Sequence, residues 1–272
     1  MQFYDIIKDK ALNNNKGPIL ITKDLPMSFT FAGKIALVTG ANRGIGKGFV
    51  STLLNAGVER IYATARQLGE LKPIVELNPE VIQTLPLDII DSDSIKTLVN
   101  RIPKLDILIN NAGIVGGAQC TSIEAAEIAR QEMDVNLFGP MTLTTQLLPL
   151  LKQSSQAAII NISSIAGICN FPAIGTYSIS KAAMLSYTQG LRADLAKDAI
   201  NIIGVYPGPH DTRLAAGMEM EKPAPNNVAI KTLQGLTQGQ LDIYPDNFAQ
   251  QMYATLRAEP QQLADLFAEM SE

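Results

Sequence analysis

The chain has 272 residues, of which 46% are hydrophobic and 18% charged, with a formal net charge of -4. This composition builds a core and excludes a disordered or coiled-coil protein, and the charge offers nucleic acid or an anionic membrane nothing to bind. A single histidine, His210, and two scattered cysteines, Cys120 and Cys169, argue against a Ser-His-Asp hydrolase and a His/Cys zinc site.

Residues 1–27 lack the basic start and apolar stretch of a secretory signal, and no apolar run approaches the roughly 20 residues that span a bilayer. Together with the unpaired cysteines, this leads us to expect a cytoplasmic setting. Residues 1–27 also stay outside the pattern that follows and are expected to form a mobile extension of a domain over 28–272. From there, short apolar runs alternate with helix-like segments, as in successive βαβ units. Strands are expected at 35–39, 60–65, 81–87, 106–110, 157–162 and 201–206. Helices are expected at 46–56, 92–101, 123–151 (broken near Gly139-Pro140) and 177–197. Several of the strands are apolar without alternation, as they are when helices cover both faces of a parallel sheet. The stretch 207–245 contains several Pro, Gly and Asn residues and follows the last of these strands. Ligands of open α/β sheets bind outside the carboxyl ends of strands, so this stretch is expected to be a substrate loop.

Between the first strand and first helix lies Thr39-Gly40-Ala41-Asn42-Arg43-Gly44-Ile45-Gly46. Glycines in that place permit a tight turn, let backbone N–H groups approach a pyrophosphate and allow the helix to pack close to the strand. The loop is not a phosphate-binding loop of the Walker type, because Lys47 is followed by Gly48. The expected fold is a single Rossmann-type α/β domain with a doubly wound parallel sheet and helices on both faces. In such domains an acidic residue at the end of the second strand usually binds the ribose 2′-hydroxyl. Here the second strand ends Thr64-Ala65-Arg66, without a carboxylate. Arg66, with Arg43, could instead clasp a 2′-phosphate, which favours NADP(H) over NAD(H).

Tyr177 and Lys181 have the spacing that puts two side chains on one helical face. A lysine ammonium beside a phenol favours phenolate, so the tyrosine is expected to titrate below its ordinary value near 10 and to exchange a proton with a carbonyl or alcohol. Tyr4 and Lys8 share the spacing without the surrounding pattern and are set aside. Ser164 ends the fifth strand thirteen residues before Tyr177 and can polarise a carbonyl, with Ser163 its neighbouring alternative.

The order Thr39-Gly40-x-x-x-Gly44-x-Gly46, Asn110-Asn111-Ala112-Gly113, Asn136 within Val-Asn-Leu, Ile162-Ser163-Ser164, Tyr177-x-x-x-Lys181 and Pro207-Gly208 resembles the short-chain dehydrogenase/reductases over roughly residues 34–212. The resemblance implies an oxidoreductase that interconverts a ketone or aldehyde and its alcohol. Under it, Ser164 meets the substrate oxygen, Asn136 joins a water-linked proton relay reaching Lys181, and Lys181 also holds the nicotinamide ribose. Asp88 and Asn110 would line the adenine side, Ala112 and Gly113 would complete the cofactor site, and Pro207, Gly208 and Thr212 would cradle the carboxamide. His210 departs from the family's usual aliphatic residue and is left out of the catalytic set.

The pocket is expected from 114–118, 169–176 and the surroundings of Met218 and Met220. Phe171, Ile174 and these methionines lean towards a medium-sized apolar substrate. The helical runs 143–151 and 177–195 carry enough apolar surface for a homodimer or homotetramer. The longer nucleotide-sugar branch of the fold spaces its glycines differently, and NADPH-binding redox sensors commonly lose the tyrosine or lysine retained here.

Overall fold

The computed structural model describes residues 28–211 and 222–271. Its strands are β1 (Ile35–Val38), β2 (Arg60–Ala65), β3 (Ile82–Pro86), β4 (Ile107–Asn110), β5 (Ala157–Ile162), β6 (Ile200–Val205) and β7 (Asp242–Ile243). They form one parallel sheet in the order β3-β2-β1-β4-β5-β6-β7. The order reverses between β1 and β4, the place where an open sheet of this kind leaves a crevice at its carboxyl edge. The single Rossmann-type domain anticipated from the sequence is therefore present.

Alternation within each apolar strand explains why both faces are covered. Ala36 and Val38 of β1 join one core with Ala158 and Ile160 of β5, while Ile35 and Leu37 join the opposite core with Ala157 and Ile159. The first core is closed by α1 (Gly44–Asn55), through Phe49, Val50 and Leu53. The short α2 (Lys72–Val75) lies beside it, with Ile74 in the same core. The second core is closed by α3 (Ser92–Val99), whose Asp91 side chain caps its start by accepting from the Asp93 amide. At the amino edge of the sheet the carboxylate of Asp106 accepts from the Ile35 amide at 2.9 Å and the Ser154 hydroxyl at 2.6 Å. Burial pushes the Asp106 carboxyl up, but these bonds and the Lys34 and Lys104 charges outweigh it and hold the group below its ordinary value.

Two regions differ from expectation. The long helix expected at 123–151 is three pieces: α4 (Ala125–Met133), a π turn (Asp134–Phe138) and α5 (Gly139–Leu151). Pro140 has no N–H to give the carbonyl four residues earlier, so the ladder widens ahead of Gly139-Pro140 and not at it. After α6 (Gly175–Asp194) and β6, the stretch 207–245 is not loop throughout. It contains α7 (Asn226–Thr237) and β7. Val228, Ala229, Thr232, Leu233 and Leu236 make a buried helical stripe, and a Cβ on Gly48 of α1 would come within 2.8 Å of the Asn226 Cα. The prolines that suggested a loop lie outside this stripe, and Gly235 is buried within it without ending the helix. The chain ends in α8 (Asn247–Ala258) and α9 (Pro260–Glu269).

Candidate active site

A cleft of about 1050 Å³ opens along the carboxyl edge of the sheet. The glycine loop forms its floor on the β1 side. Gly40 and Gly44 have φ of 63° and 53°, a conformation that a side chain would strain. With Arg43 in extended backbone as the N-cap and no side chain capping α1, the first N–H groups of the helix are left for a ligand. Gly40, Asn42, Arg43, Gly44 and Ile45 line the cleft, but Gly46 does not. A Cβ on Gly46 would run into the Gly40 carbonyl, so this glycine lets helix and loop touch.

The loop is fastened to β4 by Thr39 and Asn111. The Thr39 hydroxyl accepts from the Asn111 and Ala112 amides, each at 2.9 Å, while the Asn111 side chain donates to the Thr39 carbonyl at 2.8 Å and the Gly40 carbonyl at 3.2 Å. Asn111 faces the cleft with Ala112 and Gly113. Asn110 does not. It is buried on the α5 side, donating to Thr144 at 3.1 Å and to Asn161 at 2.8 Å. Successive residues leaving a strand point to opposite faces, so Asn111 lines the cleft and Asn110, against expectation, does not.

Arg43, Arg66 and Asp88 line the same end of the cleft. Sequence reasoning missed Glu70, which also lines it and accepts from the Asn42 side chain at 2.6 Å. Glu70 lies in a short helical turn after β2, beyond the strand end where an acid was sought.

The centre of the cleft is built by β5, the turn after it, and α6. Ser163 is committed to structure, its hydroxyl donating to the Lys181 carbonyl at 2.8 Å. Ser164 continues in extended backbone, accepts from the Ala166 amide at 3.1 Å, donates to the Pro207 carbonyl at 3.5 Å and lies near enough to Tyr177 to favour its ionised form. The buried Lys181 ammonium donates to the Ile162 carbonyl at 2.9 Å and lies 5.6 Å from the centre of the Tyr177 ring. Burial pulls Lys181 down to about 8. Burial also pushes Tyr177 up to about 12, with the Ser164 hydroxyl opposing and the Glu132 carboxylate adding to the rise. The expectation that Lys181 would bring the phenol below 10 is thus reversed in the protein alone, because desolvation of the phenol is the largest effect.

Asn136 stands one layer behind. It exchanges hydrogen bonds with the Ile114 backbone at 2.8 and 2.9 Å and donates to Ser180 at 2.9 Å. A Cβ on Gly113 would lie 3.1 Å from its Oδ1 and 3.6 Å from Lys181 Nζ, so both surround the same bare stretch of backbone. The π turn places Asn136 there. On the far wall Pro207 and Gly208 line the cleft, and the Gly208 amide donates to Asp246 at 2.9 Å. The buried His210 ring meets the Gly208 carbonyl at 3.0 Å through Nδ1, which makes it a brace of this turn. Thr212, Met218 and Met220 lie outside the described residues.

Of the expected pocket segments, Ile114, Val115, Phe171, Ala173 and Ile174 line the cleft. Phe248, Phe267 and Met270 line it as well, and they come from α8, α9 and the residue after α9, which sequence reasoning did not connect with the site.

A family model described as short chain dehydrogenase matches residues 34–223. The chain belongs to the short-chain dehydrogenase family. It is an oxidoreductase of that type, in keeping with its relatives. It is 33% identical over 218 residues to an uncharacterized oxidoreductase of Staphylococcus saprophyticus, covering 75% of this chain and 92% of that one. It is 36% identical over 194 residues to a dehydrogenase/reductase SDR family protein 7-like of Drosophila melanogaster, covering 67% of this chain and 59% of that protein. Among solved structures, a short chain dehydrogenase of Burkholderia cenocepacia in complex with NADP superposes with a TM-score of 0.82 at 33% identity, over 88% of this chain and 99% of that one. No helix among the described residues is long and apolar enough to cross a membrane.

Proposed function

We propose that this enzyme reduces a ketone or aldehyde with NADPH, and oxidises the corresponding alcohol in reverse, with Tyr177 carrying the proton. The observation that carries the reading is the meeting of Tyr177, Ser164 and Lys181 in the cleft onto which the glycine loop also opens. The bare loop of Gly40 and Gly44, the uncapped start of α1 and the Asn111 fastening fit a dinucleotide's pyrophosphate. Arg43 and Arg66 supply charge for a 2′-phosphate, and the NADP complex of the Burkholderia cenocepacia relative supports the same choice. When bound, the dinucleotide supplies or accepts the hydride.

The residues of the chain handle the proton. With Tyr177 held up to about 12, the phenol stays protonated at neutral pH and is ready to donate to a carbonyl oxygen. The Ser164 hydroxyl steadies charge developing on the same oxygen. Lys181, a cation below about 8, favours the tyrosinate left behind and restores its proton. Asn136 fixes the Ile114 backbone and shares the Gly113 backbone with Lys181, a position from which it serves the relay. The reading includes a cytoplasmic homodimer or homotetramer packed through α5 and α6, near which Phe138 and Ile179 are exposed. The test is NADPH and NADH consumption, side by side, with a panel of ketones and aldehydes. Turnover with NADPH alone or preferentially is expected; preference for NADH would overturn the cofactor assignment, and silence despite cofactor binding would overturn the enzyme reading.

A further inference from the structure

The cleft has two chemically different ends. Arg43, Arg66, Glu70 and Asp88 gather at one. At the other, beyond Tyr177, the described lining includes Ile165, Phe171, Ile174, Phe248, Phe267 and Met270. Among the described residues lining that end there is no Asp, Glu, Lys or Arg. Among the described residues there, the titratable side chain is His210, which is 2% exposed, meets the Gly208 carbonyl through Nδ1 and has its buried Nε2 3.9 Å from the Asp246 carboxylate.

This apolar end is a construction of the carboxyl-terminal helices. Phe267 and Leu263 of α9, with Ala249 and Met252 of α8, form a small core with Ile165, separate from the two cores that flank the sheet. The Phe171 and Phe267 rings meet edge to face, with centres 5.3 Å apart and planes at 79°. The far end of α9 is tied to the site as well. The Ala173 amide donates to the Ser271 hydroxyl at 3.3 Å, and that hydroxyl donates to the Phe267 carbonyl at 2.6 Å. Ala173 belongs to the turn Pro172–Ile174 that leads directly into α6 and Tyr177.

We propose that α8 and α9 form the substrate-selecting wall, and that the compound they admit is an uncharged ketone or aldehyde bearing an aromatic ring. The inference rests on the reading of Tyr177 as the proton carrier, because that fixes where the carbonyl oxygen sits. Ser164 and Tyr177 can satisfy one oxygen. A carboxylate or phosphate on the rest of the substrate would lose its hydration and meet no counter-charge on this wall. A polyol would leave hydroxyl groups unpaired against phenylalanine and methionine. A flat aromatic ring, by contrast, packs against Phe171 and Phe248 by edge or offset contact.

The experiment compares acetophenone, pyruvate and glyceraldehyde, with turnover measured with NADPH and binding measured by calorimetry on the NADP+-loaded protein. Three proteins are used: the wild type, Met270→Lys and Phe248→Ala. Met270 is 45% exposed, so its substitution leaves the core intact. The wild type should prefer acetophenone by about 30-fold or more in kcat/KM. Each variant should weaken acetophenone binding by about 10-fold while NADPH affinity stays within about twofold. Preference for pyruvate or glyceraldehyde, acetophenone binding that neither variant changes, or no acetophenone binding by the wild type would each overturn the proposal. A Tyr177→Phe protein separates this from the underlying reading. If it still reduces acetophenone at the wild-type rate, the proton assignment fails, and the binding data judge the wall by themselves.

Discussion

The residues that line the β1–β3 end of the cleft follow one another along the first part of the chain, from Gly40 through Arg66 to Asp88. Those at the opposite end reach it from three separate stretches: the turn at Phe171, α8 with Phe248, and α9 with Phe267 and its neighbour Met270. The first end is a string of strand-to-helix turns, and each turn carries its cleft-facing residues in local order. The second exists only because two terminal helices fold back over the segment that leads into Tyr177. Local grammar makes the charged end of the cleft, and long-range packing makes the apolar end. The two ends should therefore respond to mutation independently.

Short of the tyrosine itself, the largest expected effect lies where the two ends meet. Ser164→Ala should lower turnover roughly 10²–10³-fold with cofactor affinity unchanged, the loss typical of a single donor to a developing oxyanion. A loss seen instead in NADPH binding would move Ser164 out of the chemistry. At the cofactor end, Arg66→Ala should weaken NADPH about 10- to 100-fold and NADH little, in keeping with one charge-assisted contact. Acetophenone binding to that variant should match the wild type, and a parallel loss would contradict the independence of the ends.

Asn110→Ala offers a control on the corrected assignment. Breaking its buried bonds to Thr144 and Asn161 should cost about 1–3 kcal/mol of stability, read as a lower Tm, while NADPH affinity holds. Smallest is Glu132→Gln. The Glu132 carboxylate raises the Tyr177 pKa, so neutralising it should lower that pKa. Alcohol oxidation needs the phenolate, and its rise with pH should move to lower pH in the variant. A pH profile unmoved by the substitution would show that the charge is not felt at Tyr177.

How much of this was legible follows from the same contrast. The bounds of β2 and β5 could be read from largely apolar runs, in which Arg60, Thr64 and Asn161 are the polar exceptions, because a strand buried on both faces is mostly apolar along its length. Spacing puts Tyr177 and Lys181 on one helical face and strand position puts Ser164 at the end of β5, but Tyr4 and Lys8 share that spacing, and it is the resemblance over the whole motif order that singles out the trio. Asn110 was misplaced because spacing gives a motif but not which neighbour turns inward; the strand's alternation decides that. The π turn was visible only as a break near Pro140, since a proline announces a missing donor but not how the preceding carbonyls adjust. Helix α7 was hidden by the prolines and glycines around it. Phe248, Phe267 and Met270 carried no signal at all. An apolar residue on a terminal amphipathic helix reads as core, and only the docked position of α8 and α9 turns these residues toward the cleft.

The central claim, that Tyr177 delivers the proton in an NADPH-dependent carbonyl reduction, is tested most directly by single-turnover NADPH consumption in saturated complexes of wild type and Tyr177→Phe. The account predicts equal NADPH affinity and a rate at least about 10²-fold lower in the variant, the scale of general-acid catalysis. Consumption by Tyr177→Phe at the wild-type rate would contradict it.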